Sequence, residues 1–173
     1  MSSEAFTKTV LNCLPNGLCS WDYIITVIDS DTIILTELWA LREQGSIAIQ
    51  ADRYEVIHVP FSGEWSLELG GNVVAIAVKP NLLTWFFEVS WHDQTLVLRT
   101  DGLFSSSFVI EQDNLTLGTI RKKHAFTKRA TVDCSSCIDL GVQVFLFWLA
   151  VLMWKRQTSN HNASAGGAAG GGV

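Results

Sequence analysis

Proline is scarce in this chain, three residues in 173, and charged side chains make up only 17% of it. A strong basic balance is missing as well: twelve Lys and Arg face seventeen Asp and Glu, for a formal net charge of -5. General nucleic-acid binding needs a broad cationic surface to displace counterions, so that class is excluded. Any anionic partner has to meet a local patch. Four cysteines, Cys13, Cys19, Cys134 and Cys137, are too few for a disulfide scaffold at this length. The opening residues show no basic segment followed by an apolar one, so no secretory signal is expected, and the reading is cytoplasmic with reduced thiols. No G-x-S-x-G, P-loop or H-E-x-x-H motif occurs, and His58, His92, His124 and His161 lack metal-ligand spacing. Nothing assembles into a catalytic set, and the chain is expected to be non-enzymatic, without a cofactor.

What is present is period-two alternation. In "TWFFEVSW" the residues Trp85, Phe87, Val89 and Trp91 share one face. Ile47 and Ile49 do the same in "SIAIQA", as do Trp65, Leu67 and Leu69 in "EWSLEL" and Val74, Ile76 and Val78 in "NVVAIAVK". Turn chemistry separates the runs: "GGN" at 70 to 72, "KPN" at 79 to 81, "HD" at 92 to 93, "DG" at 101 to 102 and "DN" at 113 to 114. Strands are expected at 23–28, 32–41, 46–51, 54–59, 64–69, 72–79, 84–91, 94–100, 106–112, 115–123 and 129–134. The segment "SDTIILTELWALREQG" also reads as a helix capped by Asp31, but the β-branched Thr32, Ile33 and Ile34 favour a strand. Short strands at this spacing predict a barrel or sandwich.

The exception is "IDLGVQVFLFWLAVLMWKRQ" at 138 to 157. No polar side chain interrupts Val144 to Trp154. About 15 residues of helix rise only about 22 Å, short of the roughly 30 Å of a bilayer core. A helix apolar all round must then be covered on every side, and a closed sheet can do that. The competing reading is a transmembrane anchor, with Trp148 and Trp154 at an interface and Lys155 and Arg156 inside the cell. From Thr158 the sequence is small and polar and is expected to be a disordered tail over 158–173. The organisation expected is a 1–20 N-terminal segment, possible as a flexible lead, a 21–157 domain with its core helix at 138–156, and the tail.

Strand-then-helix order from about Tyr23 to Arg156 resembles the tubby C-terminal-like fold, shared by tubby proteins, phospholipid scramblases and plant LURP-one-related proteins. The local likeness lies in "SGEWSLELGGNVVAIAVKP", "TWFFEVSW", "LTLGTIRKK", "RATVDC" and "VQVFLFWLAVLMWKR". The resemblance, to a compact bacterial-type branch, implies a mainly β fold: an antiparallel closed β-barrel of about 11–12 strands around a hydrophobic C-terminal helix. It also implies lipid binding, although fold alone does not fix function. The calcium-binding segment and proline-rich region of scramblases are not found here, and tubby's phosphoinositide-binding positions cannot be matched one to one.

The densest basic stretch, "RKKHAFTKR", places Arg121, Lys122, Lys123, Lys128 and Arg129 around His124 and Phe126. On a hairpin these cations would meet anionic phospholipid headgroups at about 1 kcal/mol each. The plainer reading is a solvated turn that protects an edge. "CSSC" at 134 to 137 allows a redox pair or, with Cys13 and Cys19, a zinc site. Neither spacing suits: a redox pair wants a βαβ context, and C-x5-C is not a usual knuckle. "DSD" at 29 to 31 reads as a turn rather than a metal site. The expected function is therefore a non-enzymatic module at or near the cytoplasmic face of a membrane. The alternatives are a small protein anchored by 138–157 and a cysteine-based metal or redox protein.

Overall fold

The computed structural model describes residues 7–39, 41–81, 84–102, 105–124 and 127–165, the last five of these by backbone alone. Twelve antiparallel strands precede one helix: β1 (Lys8–Pro15), β2 (Tyr23–Val27), β3 (Ile33–Trp39), β4 (Gln44–Ile49), β5 (Asp52–Val59), β6 (Glu64–Leu69), β7 (Asn72–Val78), β8 (Phe86–Trp91), β9 (Gln94–Thr100), β10 (Phe108–Gln112), β11 (Leu115–Lys122), β12 (Ala130–Ser135) and α1 (Leu140–Ala165). Each strand pairs with the next, and β1 pairs with β12 to close the barrel. The eleven expected strands are all present within a few residues of their predicted bounds.

Alternation explains the wall. Along β3 every second residue is buried, with Ile34, Thr36 and Leu38 inward and Ile33, Leu35, Glu37 and Trp39 outward. In β8, Phe87, Val89 and Trp91 face inward as predicted, whereas Trp85 lies before the strand and is exposed.

One strand faces the opposite way from the sequence reading. On β7 the buried residues are Ala75 and Ala77, while Val74, Ile76 and Val78 are only partly covered. The register supplies the reason. Ala77 sits between Trp65 of β6 and Val89 of β8, and Ala75 between Leu67 and Trp91. Bulky neighbours on both sides leave room for a methyl group alone.

The N-terminal segment is a second correction, since Lys8–Pro15 is not a flexible lead but the strand that closes the barrel. Its "KTVLNCLP" carries apolar residues on both faces, which blurs the period-two signal. Only Leu11 and Cys13 point fully inward.

The helix runs through the lumen. From Val144 to Trp154 every side chain is buried. Partners come from around the ring: Phe147 packs edge-on against Tyr23 of β2 at 4.9 Å, Trp148 Nε1 donates to the Glu37 carbonyl of β3 at 3.0 Å, and Trp154 meets Phe108 of β10. Gly141 lets the Tyr54 ring of β5 lie on the first turn, where a Cβ would stand 3.0 Å from that ring. Gln143 ties the start down by donating to the carbonyls of Ile138 and Ser135. Among the described residues no helix is long and apolar enough to cross a membrane.

The helix also continues past its expected end at Arg156 as far as Ala165, into the stretch read as a tail from Thr158. Extending a formed helix costs little compared with nucleating one. Thr158 and Ser159 back-bond to the carbonyls of Trp154 and Lys155.

The two ends of the barrel differ. At one, four of the five hairpins turn in two residues, with positive φ at Gln50, Gly70, Gly71, His92, Asp113 and Asn114 as such turns require. At the other, six connections of four to seven residues surround the emerging helix.

Candidate functional site

An up-and-down barrel sends every odd-to-even connection to the same end, so residues far apart in sequence gather there. The six long connections, the last residue of β11 and the helix beyond Trp154 hold Arg42, Lys79, Lys122, Lys123, Lys128, Arg129, Lys155 and Arg156. These are eight of the twelve Lys and Arg, against Asp22, Glu43, Glu64 and Asp101. The tight-turn end has the opposite sign, with Asp29, Asp31, Asp52, Asp93, Asp113 and Asp139 against Lys8. A chain of net charge -5 thus presents a cationic face at one end of the barrel axis.

Of the five basic residues singled out in the sequence, Lys122, Lys123, Lys128 and Arg129 reach this end and Arg121 lies just inside β11, and strand alternation divides them. Lys122 turns into the mouth, its Nζ 4.7 Å above the Trp154 ring, and burial followed by the nearby charge of Lys128 lowers its pKa. Lys128 sits 4.2 Å over Trp21 and donates to the Ser20 carbonyl at 2.9 Å. Arg121, Lys123 and Arg129 lie on the outer side, Lys123 donating to Asn12 Oδ1 at 2.7 Å. Phe126 lies outside the described residues. They form part of a cationic rim rather than one patch.

The rest of the rim had no local signature. Arg42, Lys79, Lys155 and Arg156 are isolated or paired in sequence, and only the parity of their connections brings them together. The same holds for the apolar tips. Leu18, Leu41 and Phe61 occupy the β1–β2, β3–β4 and β5–β6 connections with relative exposures of 99%, 102% and 107%. Below them on the outer wall, Leu14, Ile24, Leu35 and Trp39 are also exposed, and Leu14, Ile24 and Leu35 pair directly across β1, β2 and β3. An apolar sector therefore descends from half of the rim, with cations on either side.

At the centre of the mouth the helix is latched to the β3–β4 turn. Arg156 Nε donates to Glu43 Oε1 at 2.8 Å and its Nη2 to the second oxygen. Trp65 Nε1 donates to the Glu43 carbonyl at 3.0 Å, His58 stacks on Trp65 with centroids 4.4 Å apart, and the Arg156 guanidinium lies 5.3 Å from the same ring. Burial pushes the Glu43 carboxyl up, but the Arg156 hydrogen bonds and the charges of Arg156, His58 and Lys155 outweigh it and hold the pKa below its ordinary value. A carboxyl depressed in the folded state contributes stability above its unfolded pKa and loses it as pH falls through the folded value. Glu43→Gln should therefore cost about 1 kcal/mol near neutrality, modest because the pair is partly solvated, with the gap closing below about pH 4. Thermal melts of both proteins across that range check this; a gap that widens in acid contradicts it.

The cysteines do not converge. Cys13 and Cys134 are wall residues whose thiols burial pushes up, that of Cys134 to about 12, whereas Cys19 and Cys137 are exposed on connections at opposite ends. Among the described residues no group of three or more His, Cys, Asp or Glu is placed to hold a metal ion.

No protein-family model, no curated protein and no solved structure matches this chain.

Proposed function

We propose that this protein is a non-enzymatic, tubby-like barrel that docks peripherally on an anionic membrane surface through its long-loop end. The observation that carries the reading is the coincidence of three fully exposed apolar loop tips, Leu18, Leu41 and Phe61, with eight of the twelve cationic side chains at one end of a barrel whose other end is acidic. Apolar insertion and headgroup attraction act together in such a footprint. Each inserted Leu or Phe is worth about 1.5 to 3 kcal/mol and each cation near the surface about 1 kcal/mol. The tilt follows from the apolar sector on β1 to β3, which lets that side of the barrel lie into the interface. The surface would be the inner, cytoplasmic leaflet, where anionic lipid attracts such a face.

Co-sedimentation with vesicles tests it. Binding should require anionic lipid, weaken as salt is raised, and fall about a hundred-fold or more in a Leu18→Ser, Leu41→Ser, Phe61→Ser variant that retains its thermal transition. Equal binding to neutral vesicles, or an unchanged affinity in the triple variant, would sink the reading.

A further inference from the structure

On the outer flank of the rim, beside the seam that closes the barrel, the β1–β2 and β11–β12 connections border a cleft of about 570 Å³. Leu14, Pro15 and Leu18 line one side of it, and Thr127, Lys128 and Arg129 the other. The register explains why these chemistries meet. Cys13 of β1 pairs with Ala130 of β12, both facing inward, so the next residues toward the rim, Leu14 and Arg129, fall side by side on the outer surface. Beyond Leu14 the apolar row continues to Ile24 of β2. The two cations differ. Lys128 is engaged, its Nζ donating to the Ser20 carbonyl at 2.9 Å and lying 4.2 Å over Trp21. Arg129 is exposed, and among the described residues its guanidinium has neither an ion-pair nor a hydrogen-bond partner. Thr127, two residues before it, carries a hydroxyl that is shielded from water and has no hydrogen-bond partner. Among the described residues none that lines the cleft is acidic.

We infer that this cleft binds a medium-chain carboxylate, its head in the Arg129 fork and its chain over Leu14 and Leu18. A guanidinium presents two parallel N–H donors in the plane that a carboxylate needs. The volume falls within the roughly 300 to 1,000 Å³ of small-molecule sites, which pair an apolar wall with a few placed polar groups. From Arg129 across Leu14 to Ile24 is two strand spacings, about 10 Å, so an alkyl chain of about eight carbons or more covers the row. Acetate would forgo the apolar wall, and an alcohol of the same length would forgo the fork. Such a ligand arrives from solution, so the site stands or falls apart from the membrane-docking surface.

The test titrates the full chain with decanoate, kept below its micelle concentration in vesicle-free buffer, while backbone amide resonances are followed. Saturable shifts centred on Gly17, Leu18, Thr127 and Arg129 are expected, with affinity rising about two- to four-fold for each methylene added from hexanoate to decanoate. Arg129→Gln should lower the affinity about ten-fold or more, because the charge-assisted pair is lost. Arg42→Gln removes the same charge from another connection of the rim and should leave the affinity unchanged. Leu18→Ser, at a fully exposed position, should weaken decanoate about three-fold or more. Absence of saturation, equal affinity for decanol, or an equal loss in the two arginine variants overturns the site. A protein that binds anionic vesicles but not decanoate keeps the docking reading while this one falls; saturable decanoate binding without vesicle binding does the reverse.

Discussion

A chain ending before Ile138 will not fold. The truncation removes the whole helix, and with it every side chain from Val144 to Trp154, all of them buried. On the order of ten apolar groups at about 1.5 to 3 kcal/mol each exceeds the roughly 5 to 15 kcal/mol by which a domain is ordinarily stable. The wall would suffer too, because Tyr23, Phe108 and Trp65 would face an empty lumen lined with the apolar sides of twelve strands. Near-UV circular dichroism should collapse, apolar dye binding should rise, and the shortened protein should lose its cooperative melt. A truncated chain with a sharp thermal transition would show instead that the sheet closes without its plug. The same experiment separates the two readings of residues 138 to 157, since a tethered anchor would be dispensable to the domain in front of it.

The second large effect comes from one hydrogen atom. Gly45 on β4 stands where Trp148 leaves the helix to reach the Glu37 carbonyl. A Cβ there would overlap that carbonyl oxygen and come within 2.9 Å of the indole nitrogen. Neither can retreat: the carbonyl belongs to a paired strand, and the indole is wedged inside the lumen. Gly45→Val should cost about 3 kcal/mol or more, lowering Tm by about 6 to 12 °C, through overpacking and loss of the Trp148 hydrogen bond. Gly70→Asn is the contrasting case. Its φ of 58° is one that Asn tolerates, and nothing lies within 4 Å of the added carbon, so the change should be within about 1 kcal/mol. If Gly45→Val melts with the parent, the close approach is not the constraint described.

Most of the fold is written locally, and the residues say why. Period two and turn residues such as Gly70, Gly71, Asp113 and Asn114 placed eleven strands because each strand has one wet and one dry face. The helix was legible as something to be enclosed, because its run from Val144 to Trp154 offers no polar side. Failures arose where the deciding information lies in another element. Ala75 and Ala77 face inward only because Trp65, Leu67, Val89 and Trp91 flank them. β1 is a strand because β12 and β2 offer it two edges. The candidate site was the least legible part. Four of its cations stood together in "RKKHAFTKR", yet Arg42, Lys79, Lys155 and Arg156 joined them only once the barrel's parity was known. Leu18, Leu41 and Phe61 read as scattered apolar residues until their connections were seen to share an end.

Closure of β1 on β12 joins positions as far apart as Lys8 and Asp133, which are 125 residues distant and linked by an ion pair of 3.1 Å. In chain order the helix follows all twelve strands. During synthesis, then, all twelve strands are made before the element they enclose, and the β1–β12 seam cannot be sealed early without shutting the helix out. Such non-local pairing is slow, and it leaves two strand edges and an apolar inner face in water while the chain waits. The vulnerable species for this protein is therefore the late chain with its seam unsealed, and its lifetime is set by how quickly the helix arrives and is wrapped.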